Sequence, residues 1–535
     1  MAKLQFAQSQ KTPLVGIAAS IAIHVLSLAV PLAMFQTYDR ILPSQAYGTT
    51  FVLAVGVAIA IFLEALLRYS RAVLFAHVGW SFESRMTVRL MEHVMCADAR
   101  AVQRAGTPVL IEATQAIGKV RDYWSGNAAT ALHELPLALI YVLLIAYIGS
   151  WLAVIPLALT AVALVASLAV MRSATSAVRE VEDAQFHRRN LAWGIFTGLS
   201  EAKAMAAETL LTARYRDAVA RFMDATARVE RRWALVTENG AALAQLSTIA
   251  VVTFGAFMVV AGELTTGGLA ACTLLAGRSL GPAMSAFQYL SRRIETKEAQ
   301  HKIEDVLSLP LAPLWAGETA GSGREFHGGT VVLSGAALQG GRVSIPQGTF
   351  VHIDAPDSLV ATAALRAVAR LDDSLAIDVT FDGAPSEAYD PLSLRRGITK
   401  TSSRAELVQG TLLDNLTLFS AQYEAEAMEL SERLGLSTFV DGLRQGYMTP
   451  VGPIGAEIVS PGMAARVDLI RALVRQPAIL CLDRSDAPLD LDGVKRLVAL
   501  LEELKGDTTV LMVSSNPKLL ALADTRVRIE RGKTA

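Results

Sequence analysis

The sequence predicts a bundle of six membrane-spanning helices followed by a water-soluble α/β domain. The chain has 535 residues, 52% of them hydrophobic, and a mean hydropathy of +0.38, high for a soluble protein of that size. Its long uncharged runs all lie before about residue 290, within reach of helices that cross a bilayer. From about residue 329, short β-type runs alternate with helical ones, the pattern of an α/β domain. The expected division is therefore a membrane region with long cytoplasmic helical extensions over 1–305, a linker over 306–328 and the α/β domain over 329–535. Pro310, Pro313 and a Gly/Ser-rich end mark the linker.

Residues 14–35 carry no charge, and roughly 22 residues at about 1.5 Å rise span a hydrocarbon core of about 30 Å. Residues 51–67 give a second span, with Glu64 near its inner end. Leu135 to Met171 is uncharged throughout and too long for one crossing, so a hairpin turning near Gly149-Ser150 supplies the third and fourth. The fifth is 240–261, and the sixth, 266–287, is interrupted by Arg278.

The connections at 36–50, 149–151 and 262–265 carry one basic residue, Arg40. Arg85, Arg89, Arg100, Arg104, Lys119 and Arg121 lie between the second and third spans, and eleven Lys or Arg fall from Arg172 to Arg232. The positive-inside rule places these long connections and both termini in the cytosol of a bacterial inner membrane. Almost no Gly or Pro interrupts them, so they read as helices continuing beyond the membrane.

A net charge of −1 gives no field for nucleic acid. Cys96, Cys272 and Cys481 are far apart, with no CxxC and no His cluster, so no disulfide framework or metal site is expected. The ionisable groups His24 and Arg278 lie at membrane depth, where such residues are functional candidates. Each is read as lining a translocation path or, alternatively, as pairing with a neighbouring helix.

Val30-Pro31-Leu32 followed by Tyr38-Asp39-Arg40-Ile41-Leu42-Pro43 resembles the first external loop of type I secretion ABC exporters. Gly267-Gly268-Leu269 followed by Ala276-Gly277-Arg278-Ser279-Leu280-Gly281-Pro282 is similar to their sixth span. Asp441-Gly442-Leu443-Arg444-Gln445-Gly446-Tyr447, and Arg471-Ala472-Leu473 leading to Pro477-Ala478-Ile479-Leu480-Cys481-Leu482-Asp483, resemble the signature-helix and Walker B region of ABC ATPases. The resemblance is thus to half-transporters exporting RTX toxins, proteases and large adhesins, and it covers nearly the whole chain. With about a dozen residues before the first span, the layout is closer to the protease-exporter branch than to members with an N-terminal peptidase-like domain.

ATP hydrolysis needs a Gly-rich turn whose amides cradle phosphate, a Lys on the terminal phosphates and a hydroxyl on magnesium. The corresponding turn reads Ala355-Pro356-Asp357-Ser358-Leu359-Val360-Ala361-Thr362-Ala363. Ala361 stands where the Lys belongs, Ser358 and Val360 replace glycines, and Thr362 keeps the hydroxyl. Asp357 is placed to cap the following helix, as an ordinary N-cap or as an electrostatic substitute for phosphate. By the same resemblance Asp483 keeps the Walker B carboxylate, and Arg484 replaces the water-polarising carboxylate, pairing instead with Asp483 or Asp486. Ser515 stands for the switch His and Ser403 for the Q-loop Gln. No aromatic stands in Gly335–Arg342, where the family stacks adenine. Val459-Ser460-Pro461-Gly462-Met463 stands where the family has LSGGQ; Ser460 and Gly462 survive, and Pro461 removes one amide donor. Leu489 and Asp490 keep part of the D-loop.

These substitutions predict a degenerate ABC cassette with no catalytic group in cis and no nucleotide in its own site. The resemblance implies a heterodimer with a competent half-transporter, ATP and magnesium at a composite site that Ser460 and Gly462 touch in trans, an exported polypeptide, and membrane-fusion and outer-membrane components. The alternative is a membrane scaffold or regulatory pseudo-transporter that moves nothing.

Overall fold

The structure is a computed structural model that describes residues 14–125, 139–312, 323–371, 375, 377–402, 404–452 and 459–529. It divides into two units, one formed by residues 1–95 and 105–308, the other by residues 96–104 and 309–535.

In the first unit, α1 (Leu14–Ser27) leads into α2 (Ala29–Gln36), and a π-helical turn, Thr37–Ile41, carries the helix on to Ser44. The sequence places a connection from residue 36 onward; the structure instead keeps helix through Ser44 and reverses at Gln45, in the left-handed region at φ 51°. Pro43 is accommodated there because it enters a fresh first turn, where its missing N–H is not needed. Then come α3 (Tyr47–Cys96) and α4 (Thr107–Ser125). The uncharged run after residue 139 breaks where Gly149 leaves helical geometry, Ser150 takes φ 49° and a 3-10 turn covers Ser150–Ala153. Next are α5 (Val154–Thr197), α6 (Glu208–Val260), α7 (Thr266–Ser279) and α8 (Gly281–Leu307). Among the described residues, four helices are long and apolar enough to cross a membrane. The expected sixth span is split at Leu280, between α7 and α8, where Pro282 can enter only as the start of a new helix.

Small residues let these helices approach. A Cβ at Gly255 would sit 2.5 Å from a methyl of Leu269, and one at Gly240 would sit 2.4 Å from the sulfur of Met284. Tyr141, Ile145, Leu152, Val251, Met258, Leu264, Cys272 and Leu275 form the apolar centre beside these contacts.

The second unit carries β1 (Val331–Ser334), β2 (Arg342–Ile345), β3 (Phe350–Asp354), α9 (Ser358–Val368), β4 (Asp378–Phe381), β5 (Ala384–Pro385), β6 (Ile398–Lys400), β7 (Gly410–Thr411), β8 (Pro450–Val451), α10 (Pro461–Leu473), β9 (Ile479–Asp483), α11 (Leu491–Leu504), β10 (Thr509–Val513) and β11 (Thr525–Arg528). A parallel sheet runs β11-β3-β10-β9-β6, and an antiparallel sheet runs β2-β1-β4-β5. The strands of the parallel sheet's centre, Phe350–Asp354, Ile479–Asp483 and Thr509–Val513, are near-continuous apolar runs because helices cover both faces. Two clusters result. One packs α9 against β1, β4 and Ile479, Cys481 and Leu511; the other packs α10 and α11 against Phe350, Leu480, Leu482, Val510 and Met512.

Candidate functional site

The loop from β3 to α9 is where a parallel α/β sheet exposes strand ends and a helix N-terminus together. Asp357 is extended at φ −134°, and its Oδ1 accepts the N–H of Leu359 at 2.9 Å. The carboxylate therefore caps α9, at the amides a phosphate would otherwise use. Ala361 is buried on the same helix at 2% exposure and presents a methyl where the family's lysine stands.

Thr362 and Asp483 are brought together: the Thr362 hydroxyl donates to Asp483 Oδ1 at 3.0 Å. The second oxygen is taken by a residue the sequence reading missed. Lys400, at the end of β6, donates from Nζ to Asp483 Oδ2 at 2.9 Å and to the carbonyl of Thr401 at 3.1 Å. Beside them Thr401 and Ser485 share a hydroxyl hydrogen bond. A single lysine closing a strand carries no motif; its one sequence signal is a cation at the end of a short buried strand. Magnesium in a phosphate-loop site is held by a Ser or Thr hydroxyl and a carboxylate. As arranged, Asp483 does not fit a divalent cation, because an ammonium already stands on it.

Arg484 lies at φ 50° with Nε 3.8 Å from Asp483 Oδ1. That Nε is buried and makes no hydrogen bond among the described residues. Of the two carboxylates expected for it, Asp483 is the nearer partner, while Asp486 accepts the Ser514 hydroxyl at 2.9 Å. Ser515 is exposed beside Ser514. Ser403 lies outside the described residues. Cys481 is fully buried behind the site, and burial pushes its thiol up to about 12, so it stays protonated and inert. Cys96 and Cys272 are likewise free thiols.

Ser460 is the N-cap of α10, its Oγ accepting the N–H of Met463 at 3.2 Å, and Pro461 occupies the first helical position. A Cβ at Gly462 would meet the carbonyl of Pro488 at 3.1 Å, so glycine keeps this helix start against the following loop. Arg466, also unmarked by any motif, is 3% exposed and ties the region together. It donates to the carbonyls of Gly462 at 3.2 Å and Leu434 at 3.1 Å, and to Asp490 Oδ1 at 2.6 Å, with its guanidinium 4.7 Å above the Phe439 ring. Asp490 caps α11 through the N–H of Gly493 at 2.8 Å. That bond, then the one from Arg466, holds its carboxyl below the usual range.

In the membrane unit His24 and Arg278 line one cavity of about 450 Å³, with Ser27, Glu64, Arg68 and Tyr141. Neither partner was nameable from sequence. His24 Nδ1 is 2.9 Å from the Tyr141 hydroxyl, which also bonds Ser27 Oγ at 2.7 Å, and Arg278 Nη1 donates to the carbonyl of Ser27 at 2.6 Å. Beyond the apolar runs, Lys302 on α8 bridges Glu112 on α4 and Glu182 on α5, at 2.6 Å to each. Arg189 also bonds Glu112, and Lys119 lies 3.1 Å from Glu182.

Long apolar helices with extended charged ends, together with a parallel-sheet domain in which a βα phosphate-type turn, a Walker B-type strand and a capped signature-type helix follow in that order, define an ABC exporter subunit. The chain belongs to the family of ABC transporter transmembrane regions, which matches residues 14–282. It is 24% identical to the cyclolysin secretion/processing ATP-binding protein of Bordetella pertussis, over 96% of this chain and 73% of that one. It is 23% identical to the alpha-hemolysin translocation ATP-binding protein of Escherichia coli, over 96% of this chain and 74% of the other. To the leukotoxin export ATP-binding protein of Aggregatibacter actinomycetemcomitans it is 22% identical, over 96% and 74%. The fold matches that of a bacterial Atm1-family ABC exporter with ATP bound, with a TM-score of 0.80, 16% identity, and coverage of 97% of this chain and 93% of that one.

Proposed function

We propose that this chain is a catalytically silent subunit of an inner-membrane protein exporter of the type I secretion class, working beside a second ABC half-transporter that supplies a competent ATP site. The observation that carries the reading is the state of Asp483: both oxygens are bonded within the chain, to Thr362 and to Lys400. Ala361 supplies no cation for phosphate, Asp357 caps the helix that would receive it, and Arg484 cannot act as a general base. The exporter half of the reading is supported by relatives named for secretion or translocation of cyclolysin, alpha-hemolysin and leukotoxin. Translocation of a polypeptide past the cavity at His24 and Arg278, six spans with cytosolic termini, and membrane-fusion and outer-membrane partners belong to the same proposal.

The signature region is better kept than the phosphate turn, with Ser460 capping α10 and Gly462 accepting from Arg466. It is the face this chain would present to ATP held by the partner. Two experiments on one sample test the reading. Tagged protein extracted from its own host in mild detergent brings down a second ABC subunit, and the reconstituted pair loses ATPase on Ser460→Arg. Recovery of the chain without any ABC partner would leave a scaffold that transports nothing, and unchanged turnover of the Ser460→Arg pair would remove the trans role.

A further inference from the structure

We infer that Lys400 is an internal cation standing in for the divalent metal at Asp483, so that this cassette completes its Walker B carboxylate with no metal and no nucleotide. The inference rests on the reading that the chain's own phosphate turn is silent, and it names what took over the charge balance there.

A buried carboxylate needs a compensating charge or a full set of hydrogen bonds. The Asp483 side chain is 4% exposed and that of Lys400 11%. Strand register puts them together. Lys400 pairs with Cys481 in the parallel β6-β9 ladder, and Asp483 follows Cys481 by two residues on the same face of β9. A long side chain leaving position 400 along the strand direction therefore reaches the carboxylate at 2.9 Å. Arg484, the other cation near, is a poorer candidate: its Nε is 3.8 Å away and its side chain is 41% exposed. The Lys400 ammonium is also steadied by the Thr401 carbonyl, so two of its three donors are placed. What remains around Asp483 is Thr362, the hydroxyl that would share a magnesium ion. Taking away the ammonium would therefore uncover a hydroxyl and a carboxylate already set for a divalent ion.

Mn²⁺ serves as the probe, titrated into the full-length chain in lipid nanodiscs without nucleotide and followed by electron paramagnetic resonance. Wild-type protein should show no Mn²⁺ binding that depends on Asp483, so its titration and that of Asp483→Asn should superimpose. Lys400→Met should gain a bound Mn²⁺ signal, which Lys400→Met combined with Asp483→Asn loses; Lys400→Arg, which keeps the charge, should not gain it. The unfolding temperature of Lys400→Met should fall and be raised again by Mg²⁺, with no such Mg²⁺ response in the wild type. Mn²⁺ binding by wild-type protein that Asp483→Asn abolishes would overturn the inference, as would a Lys400→Met protein that gains no Mn²⁺. If Lys400→Met does not fold, the wild-type and Asp483→Asn titrations decide alone. Neither readout involves the partner subunit or turnover, so this inference can fail while the silent-subunit reading stands.

Discussion

Asp39 and Gly267, 228 residues apart in sequence, meet at one end of the membrane unit, where Asp39 Oδ1 accepts the Gly267 N–H at 2.8 Å. The other carboxylate oxygen accepts the Thr265 hydroxyl at 2.5 Å, and Thr265 itself caps α7 through the N–H of Gly268. The π-helical turn Thr37–Ile41 puts one extra residue into the helix and so turns Asp39 toward α7. A Cβ at Gly267 would stand 2.5 Å from the carbonyl of Phe35 and from Asp39 Oδ1. The two sequence strings that resemble exporter motifs are thus two sides of one joint.

Asp39→Ala should leave the first N–H groups of α7 without their acceptor, costing about 1.5–3 kcal/mol for hydrogen bonds to a charged group. Gly267→Val should cost more, because the obstruction includes backbone. Detergent-solubilised variants compared by thermal unfolding check the order, and a Gly267→Val protein as stable as the wild type would refute the close approach.

Lys302 links three helices, so Lys302→Met should loosen α4 and α5 at their charged ends, by about 1–3 kcal/mol for a pair of which neither member is fully exposed. Burial alone would raise the Glu182 carboxyl, yet hydrogen bonds and charge from Lys302 and Lys119 hold it below its ordinary value. Burial alone would lower Lys302, yet Glu112 and Glu182 hold it above its own. The depressed carboxyl contributes stability above its unfolded value, about 4.3, and that stability is lost as pH falls through the folded one. The raised ammonium contributes below its unfolded value, about 10.4, and fails as pH rises through the folded one. Hydrogen exchange at α4 and α5 should accordingly be insensitive to this network across the neutral range and rise in acid, and Lys302→Met should erase the acid step.

Gln45 and Lys119 report orientation. With Cys96 replaced, Gln45→Cys should be labelled by an impermeant thiol reagent from outside the cell, and Lys119→Cys only after the inner face is opened, in line with the basic residues. The reverse pattern would overturn the topology.

The membrane half and the order of strands and helices were legible because charge, hydropathy and period are local signals. The continuation of helix through Ser44 was not, since Tyr38-Asp39-Arg40 reads as a polar connection until Asp39 finds Gly267. Asp357 as a cap and Ser460 as the start of a helix could be read from residue type and place. Lys400 and Arg466 could not, because what defines them is a partner 83 and 24 positions away, fixed by strand register and helix packing.

The central claim is that this cassette does not turn over ATP by itself, since phosphoryl transfer depends on positioning and electrostatic groups that its phosphate turn lacks. Magnesium-dependent ATPase of the purified full-length chain in lipid nanodiscs measures it directly, with Asp483→Ala as the control for contaminating activity. Wild type and Asp483→Ala should give the same background rate. Turnover in the wild type that Asp483→Ala abolishes would contradict it.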